Sequence, residues 1–181
     1  MEIKNKNVKK VLIVCERNVY RSKMFELMAK KLLTERKIND IHISSRGLEK
    51  SKFQGSIAEH MSKYPILQQE HVIASALGVG KEFLQHVPKQ VTEDDVRNSD
   101  TIFVQVPEHK KTLLKKFSFT GAKVFTIKEY SVPAEKGLDG NIRPRKIKIT
   151  GEREEMGSVW KLTDEIRRIA RKFVEELEEE I

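Results

Sequence analysis

The stretch VLIVCERNVYRSKMF, residues 11–25, decides the fold of this chain. Its first five residues form a short apolar, β-branched run that ends in Cys15, the only cysteine of the sequence. A run of this kind, bounded by polar residues, predicts a buried strand. Ser22 then stands near the expected N-cap of a segment whose apolar residues recur at helical spacing. The stretch therefore predicts a strand, a tight loop and a helix, with Cys15 at the carboxyl end of the strand.

Similar segments alternate along the rest of the chain. Three further strands are predicted from period-two patterns and short apolar runs, at residues 40–47, 100–106 and 122–130. Helices are predicted at residues 22–36, 57–64, 74–87 and 107–117, and Thr92 with Asp95 indicates another helix start. A long loop is expected over residues 131–157, followed by an amphipathic helix from Val159 to Leu177.

The alternation of strands and helices predicts the fold class. It favours a three-layer α/β/α arrangement with a four-stranded parallel sheet, because crossover helices cover both faces of such a sheet. A chain of 181 residues is long enough for one sizeable core, so we expect a single domain over residues 1–181. Ligands in these folds bind at the carboxyl ends of the strands, which is where Cys15 is expected.

Composition narrows the classes of function. A single cysteine excludes an internal disulfide and a multi-cysteine zinc site, and the five histidines show no metal-binding spacing. No apolar run is long enough to span a bilayer, so we expect a cytoplasmic protein without a membrane partner. The net charge is +8, but Lys and Glu are interspersed and no nucleic-acid motif is present. We therefore expect no nucleic-acid partner, metal or cofactor; the oligomeric state is not predicted.

The loop after the first strand suits a bound anion. Its backbone N–H groups and the helix dipole point at one spot, which favours phosphate and also an ionised thiol. Cys15 is then a candidate nucleophile, Arg21 a two-pronged phosphate clamp and Ser22 a donor to sulfur. The predicted phosphate-binding residues are the seven that follow the cysteine: Glu16, Arg17, Asn18, Val19, Tyr20, Arg21 and Ser22. The simpler alternative is that Cys15 is a buried structural thiol.

The pattern C-x5-R-S directly after VLIVC, with Asn18 inside it, resembles the low-molecular-weight protein tyrosine phosphatases, whose loop reads C-x-G-N-x-x-R-S. The sequence SSRG at residues 44–47 is similar to the Ser-Ala-Gly that follows the second strand in that family. The resemblance covers residues 8–130 and the last helix. It implies hydrolysis of phosphotyrosine or small aryl phosphates through a cysteinyl-phosphate intermediate, with a phosphorylated protein or small aryl phosphate as partner.

Two departures from the family pattern lie inside the loop. Arg17 replaces the family glycine, which serves a cramped and often left-handed backbone, so we expect strain or a reshaped loop there. This replacement motivates an alternative function, a phosphate-binding module with weak or no catalysis. Tyr20 replaces the second cysteine that is common in the family, and either packs inside or forms an aromatic rim.

The general acid of the family, an aspartate followed by proline, has no literal match. Asp139 keeps the residue type and lies close to the family spacing from the fourth strand, so we prefer it as the catalytic acid. Glu152, Glu154 and Glu155 are the alternatives, because they lie nearer the family spacing back from the last helix.

Four residues elsewhere have two interpretations. Arg46 is either simply exposed or extends the positive field of the loop, and Phe53 is either packed or part of an aromatic rim. His86 and His109 are expected to have their hydrogen bonds satisfied within the fold rather than to bind a ligand.

Overall fold

The computed structural model describes residues 8–117, 121–127 and 152–179, with side chains described over residues 159–176 of the last segment. Four strands lie in these segments: β1 (Lys9–Cys15), β2 (Ile41–Gly47), β3 (Thr101–Val104) and β4 (Lys123–Thr126). They form one parallel sheet in the order β2-β1-β3-β4. Cys15 is opposite Gly47 in this register, so the nucleophile candidate ends β1 beside the end of β2.

The helices cover both faces of the sheet. They are α1 (Arg21–Glu35), α2 (Pro65–Ala76), α3 (Gly80–Leu84), α4 (Glu93–Arg97), α5 (Pro107–Lys116) and α6 (Glu152–Glu179), with a 3₁₀ turn at Ile57–His60. Alternate side chains of β1 enter opposite cores: Val11 and Ile13 pack with α1, α2 and α6, whereas Leu12 and Val14 pack with α4 and α5. This period-two division of a strand buried on both faces confirms the predicted three-layer α/β/α fold.

Several element predictions are corrected. Helix α2 was not predicted, and the helix predicted over residues 57–64 is only the 3₁₀ turn at Ile57–His60. The helix predicted over residues 74–87 is divided between the end of α2 and α3, because Gly78 adopts a left-handed φ of +75° between them. The start at Thr92 is confirmed, since Thr92 and Asp95 form a capping box.

The last helix begins earlier than the sequence pattern indicates. It starts at Glu152, so residues 152–157 of the predicted long loop are helical, and residues 131–151 lie outside the described part of the chain. No helix among the described residues is both long and apolar enough to cross a membrane. The single domain over residues 1–181 stays a prediction.

Candidate active site

The loop between β1 and α1 surrounds the sulfur of Cys15. Cys15 is 3% exposed, and its Sγ receives the backbone N–H of Asn18 at 3.2 Å and lies 3.0 Å from Ser22 Oγ. Ser22 Oγ also accepts a hydrogen bond from Asn18 Nδ2 at 3.0 Å, and the Arg46 carbonyl oxygen is farther away at 3.5 Å. Either the Cys15 thiol or the Ser22 hydroxyl can donate in this pair, but an ionised sulfur can only accept, so Ser22 is the donor once Cys15 is a thiolate. Both bonds strengthen when the sulfur is negatively charged.

Asn18 fixes the shape of the loop. It is fully buried and has a φ of +56°, a left-handed conformation that asparagine tolerates better than most side chains. Its Nδ2 donates a second bond to Ser45 Oγ at 2.9 Å, and its Oδ1 accepts from the Lys89 N–H at 3.0 Å. Ser45 in turn donates to Glu26 at 2.5 Å. All polar atoms of this side chain are thus paired, which holds the loop before any ligand binds.

Glu26 ends this chain of hydrogen bonds inside α1. The carboxylate is buried, and Lys23 and Lys30 lie 3.0 Å and 2.6 Å from it. Burial opposes its ionisation, but the two ammonium groups and the Ser45 hydroxyl outweigh burial, so the pKa of Glu26 is lowered. A carboxylate that stays charged keeps accepting from Ser45, and so leaves the Ser45 oxygen available to Asn18.

Of the two alternatives expected at Arg17, strain or a reshaped loop, the structure does not have left-handed strain at this residue. Among the described residues, the non-glycine positions with positive φ are Asn18 and Lys37, so the left-handed turn of the loop falls one residue after Arg17. The close approach is made by Gly47 instead, because a Cβ there would lie 2.7 Å from the backbone carbonyl carbon of Arg17. Gly47 thereby lets the loop lie directly against the end of β2.

His86 supports the loop from the segment after α3. Its Nε2 lies 2.6 Å from the Asn18 carbonyl oxygen, and since a carbonyl only accepts, the ring must carry a proton on Nε2. Burial lowers the pKa of His86 to about 4, so the ring is neutral at pH 7. The predicted structural role of His86 agrees with this contact. His109 differs from expectation, because its buried Nδ1 has no hydrogen-bond partner among the described residues.

Two arginines of the loop reach the surface. Arg21 is 35% exposed, with its Nη2 3.9 Å from Glu16, and Arg17 is about half exposed, with its Nε 3.6 Å from Glu16 and 3.9 Å from Glu49. Long, exposed ion pairs of this kind are weak, so a phosphate dianion can compete for either guanidinium. Arg46 does not extend this field, since Asp95 and the Ser45 carbonyl bind its guanidinium at 2.8–3.0 Å.

A cavity of about 330 Å³ opens above the sulfur. Its lining combines loop residues with one residue each from α2 and α6: Cys15, Glu16, Arg17, Val19, Tyr20, Arg21, Glu70 and Leu162. Six of the predicted site residues therefore share one cavity. Two more, Asn18 and Ser22, are buried beside the sulfur. Asp139 lies outside the described residues, as do the side chains of Glu152, Glu154 and Glu155.

Tyr20 links the loop to α6. Its ring is 5% exposed and meets Phe83 edge-on, with ring centroids 5.7 Å apart. Its hydroxyl lies 2.6 Å from Thr163 Oγ1, which itself donates to the Val159 carbonyl, so Tyr20 is the donor in this pair. Tyr20 is therefore mainly a packed residue. Phe53 is also packed, at 8% exposure.

Glu70 and Leu162 are the lining residues that sequence reasoning missed. Glu70 is 9% exposed, and its Oε2 has no hydrogen-bond partner among the described residues. Burial raises the pKa of Glu70 to about 8, so the carboxyl is largely neutral at pH 7. A signal existed in the sequence: Leu67, Glu70 and Ala74 have helical spacing, which places an acidic residue on the buried face of α2.

Fold and site together define a class of protein: α/β enzymes that hold a cysteine in an anion-binding loop after the first strand. The family profile described as low molecular weight phosphotyrosine protein phosphatase matches residues 10–181. The chain belongs to this family, as the loop motif implied, and is a phosphoric monoester hydrolase.

Individual relatives include enzymes named for two different substrates. The protein-arginine-phosphatase of Bacillus subtilis is 28% identical over 120 residues, which are 66% of this chain and 71% of that protein. Two solved structures share the fold. The low molecular weight protein tyrosine phosphatase of T. tengcongensis has a TM-score of 0.67 at 21% identity and covers 93% and 99% of the two chains. The YwlE arginine phosphatase of Geobacillus stearothermophilus has a TM-score of 0.68 at 18% identity and covers 95% and 94%.

Proposed function

We propose that this phosphatase hydrolyses phosphotyrosine in proteins, or related aryl phosphates, through a cysteinyl-phosphate formed at Cys15. The observation that carries the proposal is the pair of hydrogen bonds at the Cys15 sulfur, from Ser22 Oγ and the Asn18 N–H. Such donors stabilise a thiolate, and a thiolate is the nucleophilic form of cysteine. Arg21 lines the same cavity, and its guanidinium supplies positive charge for the phosphoryl oxygens.

In the first step the Cys15 thiolate attacks phosphorus, and an S–P bond forms as the bond from phosphorus to the phenolic oxygen breaks. A carboxylic acid gives its proton to that oxygen, so the phenol leaves neutral. In the second step the resulting carboxylate takes a proton from water, whose oxygen attacks phosphorus. The S–P bond then breaks, the thiolate returns, and inorganic phosphate leaves.

Asp139 remains our proposal for the carboxylic acid, with Glu152 as the alternative. The two are separated by the pH dependence of kcat/KM for an aryl phosphate. We expect Asp139→Asn to lower kcat and to remove the limb of the profile that requires a protonated acid, whereas Glu152→Gln should keep that limb. The opposite result would transfer the role to Glu152.

The overall proposal is tested by hydrolysis of para-nitrophenyl phosphate in the presence of a metal chelator. The wild-type chain should turn over, and Cys15→Ser should fall by at least about a thousandfold while its melting temperature is preserved. Equal rates from the two proteins would reject Cys15 as the nucleophile. In the described part of the chain, no group of three or more His, Cys, Asp and Glu side chains is arranged to hold a metal ion.

A second candidate substrate is phosphoarginine in proteins. It is favoured by the match to a protein-arginine-phosphatase and by the carboxyl of Glu70 in the cavity, whose buried Oε2 has no hydrogen-bond partner among the described residues. Comparison of kcat/KM for a phosphotyrosine peptide and a phosphoarginine peptide of the same sequence distinguishes the two. We also propose a cytoplasmic location, because a nucleophilic thiol has to remain reduced.

A further inference from the structure

Glu70 is the acidic side chain most deeply buried in the active-site cavity. It projects from α2 into a lining that otherwise comes from the loop and from Leu162 of α6. Its Oε2 is fully enclosed, and none of the described residues donates a hydrogen bond to it. Glu16 lines the same cavity, but its side chain is about half exposed and pairs with both arginines. Glu70 is thus an acceptor without a donor at the site of chemistry.

One candidate donor within the cavity, Tyr20, is already engaged. Glu70 is close enough to Tyr20 to contribute to the raised pKa of the tyrosine. The Tyr20 hydroxyl, however, donates its proton to Thr163 and not to Glu70. A buried carboxyl without a partner is unfavourable, and an apolar residue would fill the buried face of α2 without that penalty. Buried polar groups left unpaired in a binding cavity are often satisfied only when a ligand arrives.

The charges of the cavity limit what that ligand can be. A phosphoryl group bound at Arg21 brings negative charge, which favours the neutral form of Glu70 and gives its enclosed Oε2 no hydrogen-bond donor. An aryl ring has no donor for it either. An N–H group next to the phosphoryl group supplies both a hydrogen bond and, when it is part of a cation, a compensating charge.

We infer that Glu70 is a specificity-determining residue that accepts hydrogen bonds from N–H groups of the phosphorylated side chain, as a guanidinium or ammonium group would provide. The inference rests on the proposed function, and deepens its second candidate. Glu70 selects the group that carries the phosphate, while Arg21 and the loop bind the phosphate itself. Substrates with a phenolic group bind without using Glu70.

The test measures binding and turnover separately. Binding of phosphoarginine and of phenyl phosphate is measured by calorimetry on Cys15→Ser protein, with and without Glu70→Gln. We expect Glu70→Gln to weaken the binding of phosphoarginine about 10- to 100-fold, which is the range for one or two lost charge-assisted hydrogen bonds. The affinity for phenyl phosphate should change by less than about threefold. Glu82→Gln on α3 is the control, because it makes the same substitution at an exposed position.

The outcomes separate this inference from the proposed function. Equal losses for both ligands, no loss for either, or no phosphoarginine binding at all would overturn the assignment of Glu70. Turnover with otherwise wild-type Cys15 should show the same selectivity in kcat/KM. If Glu70→Gln lowered kcat for para-nitrophenyl phosphate alone, Glu70 would be a proton donor and not a recognition residue. If wild type bound phosphoarginine through Glu70 but hydrolysed neither substrate, the proposed function would fail and the recognition role would stand.

Discussion

Acidification should destabilise the protein through His86. The folded pKa of about 4 lies below the ordinary value of 6.5, so between these values the unfolded chain binds a proton that the folded chain refuses. The free energy of unfolding therefore falls as pH is lowered through this window. With 1.36 kcal/mol for each pKa unit, the loss amounts to about 2 kcal/mol between pH 7.5 and pH 5, and to at most about 3 kcal/mol below pH 4.

The wild-type pH profile alone does not reveal this contribution, because Glu70 acts in the opposite direction. Its folded pKa of about 8 lies above the ordinary 4.5, so the folded state binds the extra proton and acidification from pH 8 to pH 4.5 is stabilising. The comparison must therefore be between variants. Glutamine at position 86 keeps an N–H donor for the Asn18 carbonyl and removes the titration.

The assay is urea unfolding of wild type and His86→Gln, followed by circular dichroism at pH 7.5 and pH 5. The stability of wild type relative to the variant should fall by about 2 kcal/mol on acidification. The Glu70→Gln variant keeps His86 but lacks the opposing titration of Glu70. Its free energy of unfolding should therefore fall on acidification without reference to a second variant. A difference between wild type and His86→Gln that stays constant within about 0.5 kcal/mol across this pH range would refute the argument.

Two further predictions concern the loop. Gly47→Ala brings a Cβ to 2.7 Å from the Arg17 carbonyl carbon, and should lower the free energy of unfolding by about 1–3 kcal/mol and kcat/KM at least about tenfold. Gly121→Ala is the control, since no atom of the described residues lies within 4 Å of its added carbon; equal effects of the two substitutions would contradict the contact at Gly47. Asn18→Asp keeps an acceptor for the Lys89 N–H but loses both Nδ2 donors, and should cost about 2–3 kcal/mol in urea unfolding, with lower phosphate affinity. Unchanged phosphate affinity would show that the network does not shape the loop.

The sheet could be predicted because each strand carries its own signal. VLIVC is a short apolar run between polar residues, and its alternate residues do enter opposite cores. The capping box at Thr92 and Asp95 is likewise local, since both partners lie within four residues. Local chemistry of this kind needs no knowledge of the rest of the fold.

Helix α2 was missed because a charged residue stands on its buried face. Its buried residues are Leu67, Glu70, Ile73 and Ala74, and the charged residue interrupts the apolar pattern that would have marked the helix. The residue that interrupts the pattern, Glu70, is the one that lines the cavity at Cys15. Such conflicts between sequence pattern and fold are expected at functional positions.

The hydrogen bonds that support the loop could not be predicted from local sequence patterns either. Asn18 is held by Ser45, His86 and Lys89, which are 27 to 71 residues away in sequence. The motif identified Asn18 as important, but only the fold shows that it carries the left-handed turn expected at Arg17. Spacing within the loop predicts which residues surround the Cys15 sulfur, whereas contacts across the fold determine the backbone conformation that presents them.

The packing of Tyr20 has a consequence for oxidative damage. Peroxide converts a reactive thiolate to a sulfenic acid, and a neighbouring thiol can trap that product as a disulfide before it is oxidised further. Here a tyrosine stands at the loop position of the family's second cysteine, its hydroxyl bound to Thr163, and the sequence contains no other thiol. Protection of an oxidised Cys15 as a disulfide therefore requires a thiol from outside this chain. Without one, further peroxide leads to the irreversible sulfinic and sulfonic acids.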